Sequence, residues 1–224
     1  SKYPDSIKYY LQQPKKIKVF SWDGEKDTIL SPLDSIRYYK RFLQAGFLAM
    51  EPNSGHIQAW VGGINYKYFQ YDHVKQGKRQ PGSTFKPIVY TAAIDNGYSP
   101  CYEVVDAAIT YAVPGQITPI WRPNNSSGKY SGETMTIRQA MARSVNSITA
   151  FIMSKVGPSN VVDYARKLGF TSPLNAVPSL CLGTDDVSLY ELVGAYATFI
   201  NKGNFTKPEY ITKIANIFPA GKDY

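Results

Sequence analysis

Arg79-Gln80-Pro81-Gly82-Ser83-Thr84-Phe85-Lys86-Pro87 is the stretch on which the reading of this 224-residue chain turns. Pro81-Gly82 predicts a turn, and Ser83 follows it at the mouth of a helix, where first-turn N–H groups and the positive end of the helix dipole face the side chain. Lys86 lies three residues on, so the two side chains share one helix face and come within hydrogen-bond reach. A serine hydroxyl is a poor nucleophile until a neighbouring base takes its proton, and a lysine serves as that base only when desolvation and nearby cations hold it neutral. Ser-x-x-Lys thus supplies nucleophile and base on one rigid element. The same spacing also arises by chance. A second instance, Ser126-Ser127-Gly128-Lys129, falls in an Asn/Gly/Ser loop where nothing would hold the pair in register, and it reads as solvated loop. For Ser83 the plainer alternative is an N-cap serine followed by a surface lysine.

Downstream, Ser144-Val145-Asn146 is the one Ser-x-Asn in the chain. It falls between a helix opening at Thr136 and another opening near Ser147, a break where polar side chains can point into a cleft. A second hydroxyl there could pass a proton between Lys86 and a leaving group, and the Asn146 amide can both donate to and accept from a peptide. The alternative is that Ser144 and Asn146 merely cap the next helix.

The surrounding chain reads as follows. Residues 1–30, rich in Tyr, Lys and Pro with a short apolar run at Ile17-Lys18-Val19-Phe20, predict an extended arm or linker. Ser31 and Pro32 open a helix carrying an apolar stripe of Ile36, Tyr39, Phe42 and Leu43. Phe47–Met50 and His56–Val61 predict a hairpin around Glu51-Pro52-Asn53-Ser54-Gly55, with no evident strand partner downstream. Thr84–Asn96 predicts a helix closed by Gly97, and residues 98–133 form a long irregular excursion of the kind that is more often functional than idle. Thr136 with Gln139 and Ser188 with Glu191 make two capping boxes, and Gly157-Pro158 and Gly169 punctuate helices between them.

A net charge of +8 invites nucleic acid, an anionic membrane surface or mere solubility, but the basic residues are scattered, with no zinc spacing, RNA-binding signature or basic helix to support nucleic acid. Cys101 and Cys181 fit neither a metal site nor a disulfide scaffold, and both read as small buried apolar residues, although an oxidising compartment could still pair them. No segment is apolar over the length a bilayer requires, and Ser1-Lys2-Tyr3-Pro4 is not a signal peptide. Neither metal nor cofactor is called for.

Taken in order, Ser-x-x-Lys then Ser-x-Asn, the chain resembles the transpeptidase domain of class A, bifunctional penicillin-binding proteins. The resemblance extends to Ala59-Trp60-Val61-Gly62-Gly63, Trp121-Arg122-Pro123-Asn124, Ala195-Tyr196-Ala197 and Asn201-Lys202-Gly203, and runs from about Ser31 to Ile214. It implies an α/β (α+β), β-lactamase/transpeptidase-like fold in which a helical cluster packs on an antiparallel sheet. Residues 1–30 would be a linker or arm and residues 31–224 the penicillin-binding transpeptidase domain. It further implies that Ser83 is the acyl-ester nucleophile, Lys86 its general base, Ser144 a proton relay and Asn146 a ligand for the substrate amide, with the Ser83 N–H as one oxyanion donor. The partners implied are the D-Ala-D-Ala end of a peptidoglycan stem peptide and β-lactam antibiotics, on the extracytoplasmic face of a bacterial membrane. A glycosyltransferase domain and membrane anchor are expected in the full-length protein.

Two departures stand out. No Lys-Thr-Gly or Lys-Ser-Gly is present, the nearest match, Lys75-Gln76-Gly77, preceding the nucleophile. The strand bearing that motif, and its neighbours at the C-terminal side of the sheet, are therefore expected to be missing from this chain, so that further strands or a second chain would cover the exposed edge. Among hydrolase alternatives, a class A β-lactamase would add a Glu-x-x-Leu-Asn glutamate; no glutamate here sits in that context, which favours slow deacylation. A D,D-carboxypeptidase or a non-catalytic β-lactam-binding fragment are the remaining alternatives.

Overall fold

A computed structural model describes residues 4–112 and 120–214. The chain begins with helix α1 (Pro4–Gln12) and a seven-pair antiparallel hairpin, β1 (Lys15–Ser21) with β2 (Gly24–Leu30). The extended arm expected over residues 1–30 is thus a helix and a hairpin. Ile17 and Val19 alternate with Lys16 and Lys18, the period of a half-buried strand, and Asp23-Gly24 closes the turn with Gly24 at φ +112°. Val19 and Phe20 are buried, and the Phe20 ring meets Trp22, Phe42 and Phe69 edge-on at 5.1–5.5 Å. The Tyr38 hydroxyl donates to the Phe20 carbonyl at 2.6 Å.

Helix α2 (Pro32–Tyr39) is capped by Ser31, whose Oγ accepts from the Asp34 N–H at 3.1 Å. Its predicted stripe is not buried as one face. The helix stops at Tyr39, Ile36 and Leu43 are exposed, and Phe42 instead joins the aromatic cluster. The predicted hairpin forms as β3 (Phe47–Met50) with β4 (Ile57–Val61). Gly55 holds its turn at φ +78°, where an added Cβ would come within 2.4 Å of the Lys207 carbonyl oxygen. His56 makes a parallel bridge to Glu209.

Short strand β5 (Lys78–Arg79) leads into a 3-10 turn, Gly82–Phe85, and then α3 (Lys86–Asp95), which ends before Gly97 at φ +91°. α3 buries Lys86, Ile88, Val89, Tyr90, Ala92 and Ala93 over about half of its circumference and leaves Ile94 and Asp95 exposed on the other face, as expected of a helix whose broad apolar face is turned to the core. The excursion that follows is pinned by β6 (Glu103–Val105), β7 (Tyr111–Ala112), β8 (Ile120–Trp121) and β9 (Thr134–Thr136), pairing β6 with β9 and β7 with β8. Helices α4 (Ile137–Ala142), α5 (Asn146–Val156) and α6 (Pro158–Lys167) follow, then a 3-10 turn, Pro178–Leu182, strand β10 (Val187–Ser188), which pairs with β5, and α7 (Leu189–Ile200). Both predicted capping boxes are present, at Thr136/Gln139 and Ser188/Glu191.

The core lies where α3, α5, α6 and the Pro178–Leu182 turn meet, around Phe85, Ile88, Ile148, Ile152, Phe170 and Leu180. Among the described residues every sheet is two-stranded and antiparallel. Cys181 is buried in the core, but Cys101 is exposed on the turn after α3, behind Ser99-Pro100, and both thiols are free. No helix among the described residues is long and apolar enough to cross a membrane.

Candidate active site

Ser83 sits exposed in the Gly82–Phe85 turn, three residues before α3 begins, and Lys86 is the first residue of that helix. The turn is held from three sides. The Gly82 N–H donates to the Gly183 carbonyl at 3.2 Å, Thr84 Oγ1 donates to the Pro81 carbonyl at 2.7 Å, and the Tyr196 hydroxyl reaches from α7 to the Thr84 carbonyl at 2.7 Å. Gly82 and Gly183 cross so closely that a Cβ on Gly183 would lie 2.3 Å from the Gly82 oxygen, and Gly183 also holds φ +66°. Gly183→Ala therefore has no room, and it is expected to lower stability by at least about 2 kcal/mol and to displace the serine turn. Gly82 shares the left-handed φ but has open space around it, so Gly82→Ala should cost only about 1 kcal/mol. Urea unfolding of the two variants checks the contrast; equal losses would contradict it.

Lys86 is 2% exposed, and its ammonium is turned toward the Ser-x-Asn segment. Nζ donates to the Ser144 carbonyl at 2.7 Å, to Ser144 Oγ at 3.0 Å and to Asn146 Oδ1 at 2.6 Å. Burial lowers its pKa from 10.5 to about 8. The neighbouring Cys181 thiol, itself pushed up to about 12 by burial, does not offset that. The structure thus brings Lys86, Ser144 and Asn146 together, while among the described residues no hydrogen bond joins the Ser83 hydroxyl to Lys86. The segment connecting α4 to α5 explains the convergence: Ser144 holds φ +55°, a left-handed conformation uncommon for a residue with a Cβ. Its N–H is bonded to Met141 and that of Val145 to Ala140, so the chain reverses and presents both the carbonyl and the hydroxyl of Ser144 to the lysine.

Around these residues lie contacts that the motifs did not announce. Asn146 Nδ2 donates to the Asn124 carbonyl at 2.8 Å, and Asn125 and the buried Asp106 hold the start of α5. Trp121-Arg122-Pro123-Asn124 stands out in the sequence, but nothing local there shows that the loop reaches α5. The second Ser-x-x-Lys lies in an exposed turn whose Ser127 hydroxyl bonds the Lys129 carbonyl, as solvated loop residues do. A cavity of about 510 Å³ between Lys75, Tyr190, Phe170 and Lys207 is lined by none of the four candidate residues.

An exposed serine in a turn at a helix mouth, with a desolvated lysine bonded to a Ser-x-Asn bend, is an arrangement that serine acyl transfer can use. Comparison with known proteins identifies the family. The penicillin-binding protein transpeptidase domain matches residues 45–223, and the penicillin-binding protein middle domain matches residues 1–43. The chain belongs to the penicillin-binding protein transpeptidase family, and its domain is of the class A type. It is 34% identical over 174 residues to penicillin-binding protein 2D of Bacillus subtilis, covering 78% of this chain and 25% of that protein. It is 36% identical over 173 residues to penicillin-binding protein 1A of Neisseria meningitidis, covering 77% and 22%. The chain thus spans about a quarter of the length of the curated relatives it matches. Among solved structures, penicillin-binding protein 1A from Haemophilus influenzae superposes with a TM-score of 0.67 at 29% identity, covering 70% of this chain and 23% of that one. Penicillin-binding protein A from M. tuberculosis, in its imipenem acyl-enzyme complex, shares the fold with a TM-score of 0.61 at 20% identity, covering 75% and 48%.

Proposed function

We propose that the protein is a peptidoglycan D,D-transpeptidase that works through an acyl-enzyme on Ser83. The observation that carries this reading is Lys86: a buried lysine brought down to about 8 and bonded to a second hydroxyl and an amide. At pH 7 about one such lysine in ten is neutral, against roughly one in three thousand for an ordinary one. As an ammonium, Lys86 uses all three protons on its three acceptors. Once neutral it has two protons and a lone pair, and of its three partners only the Ser144 hydroxyl can turn round to donate. Lys86 and Ser144 together form a proton-passing pair beside the nucleophile.

In the first step Lys86 takes the Ser83 proton as Oγ bonds to the penultimate D-Ala carbonyl of a stem peptide. The peptide bond breaks, and the terminal D-Ala leaves as an amine with a proton passed through Ser144. In the second, an amine of a neighbouring stem attacks the ester, Ser83 regains its proton and a cross-link forms. Asn146 would orient the peptide through the amide proton and lone pair it still has free. A β-lactam acylates the same hydroxyl by opening its ring, which leaves no departing amine to make room for an acceptor. The protein as a whole would act at the extracytoplasmic face of a bacterial membrane, with a glycosyltransferase domain and an anchor. We place the boundary of the transpeptidase domain in the connection between α2 and β3, later than residue 30, because the two family matches meet there.

Intact-mass measurement after incubation with benzylpenicillin tests the reading. A stable increment of one drug mass is expected, located on the Ser83 peptide and abolished in Ser83→Ala. Rapid release of hydrolysed drug would point to a lactamase or carboxypeptidase instead, and no increment at all would leave only a binding role.

A further inference from the structure

Helix α5 does not cap itself. It begins at Asn146 with Val145 in the N-cap position, and Val145 offers no side-chain acceptor to its first N–H groups. The acceptor comes from the loop 21 residues upstream: Asn125 Oδ1 takes the N–H of Asn146 and of Ser147, each at 3.0 Å. Asn125 is held in turn. Its Nδ2 donates to Asp106 Oδ1 at 2.8 Å and to the Lys129 carbonyl at 3.2 Å. Asp106 is 4% exposed; it also accepts the Ser147 hydroxyl, and the N–H and hydroxyl of Ser131 at 2.8 and 2.9 Å. Burial pushes the Asp106 carboxyl up, but these bonds outweigh it and hold the group below its ordinary value, ionised at neutral pH. One residue earlier, the Asn124 carbonyl receives Asn146 Nδ2 at 2.8 Å. Neighbouring residues of one loop therefore grip both the backbone and the side chain of Asn146. With Nδ2 committed to Asn124, the amide can present only Oδ1 to Lys86, 2.6 Å away.

We propose that Asn125, braced by Asp106, is a positioning residue for acyl transfer: it caps α5 from the β8–β9 loop and thereby fixes the Asn146 amide against Lys86. This rests on the reading of Lys86 as the base for Ser83. Asn124 and Asn125 act on the lysine through Asn146, whose amide they hold against Nζ; burial there is the main cause of the lowered proton affinity already described. The groups packed around Lys86 are neutral near pH 7. Ser144 and Asn146 face it from the α4–α5 bend and Cys181 from the Pro178–Leu182 turn, while Tyr90 and Tyr111, near the same thiol, are both raised by burial. The Asp106 carboxylate reaches Lys86 only through Asn125 and Asn146.

The test is the rate of acylation by a fluorescent penicillin from pH 6 to 10, with thermal unfolding, for wild type, Asn125→Ala, Asn125→Asp and the double variant combining Asp106→Asn with Asn125→Asp. The double variant swaps the polarity of the bond: the carboxylate introduced at position 125 would still accept both helix N–H groups, and the amide introduced at position 106 would donate to it and to Ser147, the one bond not restored being the long, exposed one to the Lys129 carbonyl. Asn125→Ala is expected to unfold cooperatively, to acylate at least tenfold more slowly at pH 7, and to shift its pH midpoint upward as water reaches Lys86. Asn125→Asp sets two carboxylates against each other and should be impaired, while the double variant should recover to within about threefold of wild type. If Asn125→Ala does not fold, the comparison of the single Asn125→Asp variant with the double carries the test alone. Wild-type rate and midpoint in Asn125→Ala, a slower rate at an unchanged midpoint, or no recovery in the double variant would each overturn the positioning role. Failure of the wild-type protein to acquire drug on Ser83 would instead sink the acyl-transfer reading from which the role is inferred.

Discussion

Replacing Lys86 with methionine is expected to slow acylation of Ser83 by at least about a thousandfold at pH 7 while leaving the chain folded. Methionine is close to lysine in length and suits a buried position, and the substitution removes an ammonium that burial already penalises. What it removes chemically is the one basic nitrogen that, among the described residues, is bonded to the Ser-x-Asn segment. General-base removal at a positioned site typically costs two to four orders of magnitude, roughly 10²–10⁴-fold. In the proposed mechanism the same amine also reprotonates the leaving group through Ser144, which places the expected effect in the upper part of that range. The wild-type rate should rise with pH and level off above about 8, since the competent form is the neutral lysine. The methionine variant should lose that limb. Stopped-flow acylation with intact-mass endpoints measures both; a methionine variant acylating within tenfold of wild type would remove Lys86 from the mechanism.

Glu191→Gln is expected to be the most destabilising conservative substitution in the helical half of the chain. The carboxylate is 7% exposed and, among the described residues, has no cation bonded to it; six donors surround it instead. Oε1 accepts the N–H and hydroxyl of Thr171 and the N–H of Ser172, and Oε2 accepts the Ser172 hydroxyl and the N–H and hydroxyl of Ser188, all at 2.6–2.9 Å. Burial alone would raise the carboxyl. The bonds from Thr171, Ser188 and Ser172 prevail and bring it from 4.5 down to about 2. A folded-state value below the unfolded one stabilises above the unfolded value, and that stability is lost as pH falls toward the folded value. The window is therefore about pH 4.5 to 2, and the whole contribution is about 3 kcal/mol. Glutamine turns an NH₂ toward one set of three donors, of which the hydroxyls can rotate to accept but the backbone N–H groups cannot and are left unpaired. A loss of about 3 kcal/mol at pH 7 is therefore expected, or roughly 10 °C in Tm for a chain of this size. Urea unfolding at pH 7 and pH 3 distinguishes this from a simple packing defect: the gap between wild type and variant should shrink by more than half at pH 3. A gap independent of pH would contradict the assignment.

Local chemistry was easy to read in this sequence, and long-range chemistry was not. Ser31, Thr136 and Ser188 announce their helices because a cap and its target N–H groups lie within three residues. The turn residues 51–55 likewise fix the β3–β4 hairpin. The first hairpin was hidden by its basic and tyrosine-rich composition, although the alternation at residues 16–19 and the Asp23-Gly24 turn were both present. In α2 a plausible stripe lost to its surroundings, since Phe42 found aromatic partners contributed by β1 and by Phe69. At the site, the spacing of Ser83, Lys86, Ser144 and Asn146 singles them out. Nothing in that spacing reveals how deeply Lys86 is buried or which way its ammonium turns. Asp106, Asn125 and Gly183 carry no motif; they matter through partners 19 to 101 residues away.

The aromatic cluster around Phe20 lies astride the junction at which the two family matches meet. Trp22, Tyr38 and Phe42 come from one side, Tyr68 and Phe69 from the other, and Phe20 touches both. Severing the chain at residue 44 would strip each fragment of its partner rings and leave aromatic faces open to water on both. A boundary in ancestry is here the middle of a weld, so force applied to the amino-terminal hairpin is transmitted into the transpeptidase domain through ring against ring and not through a slack peptide tether.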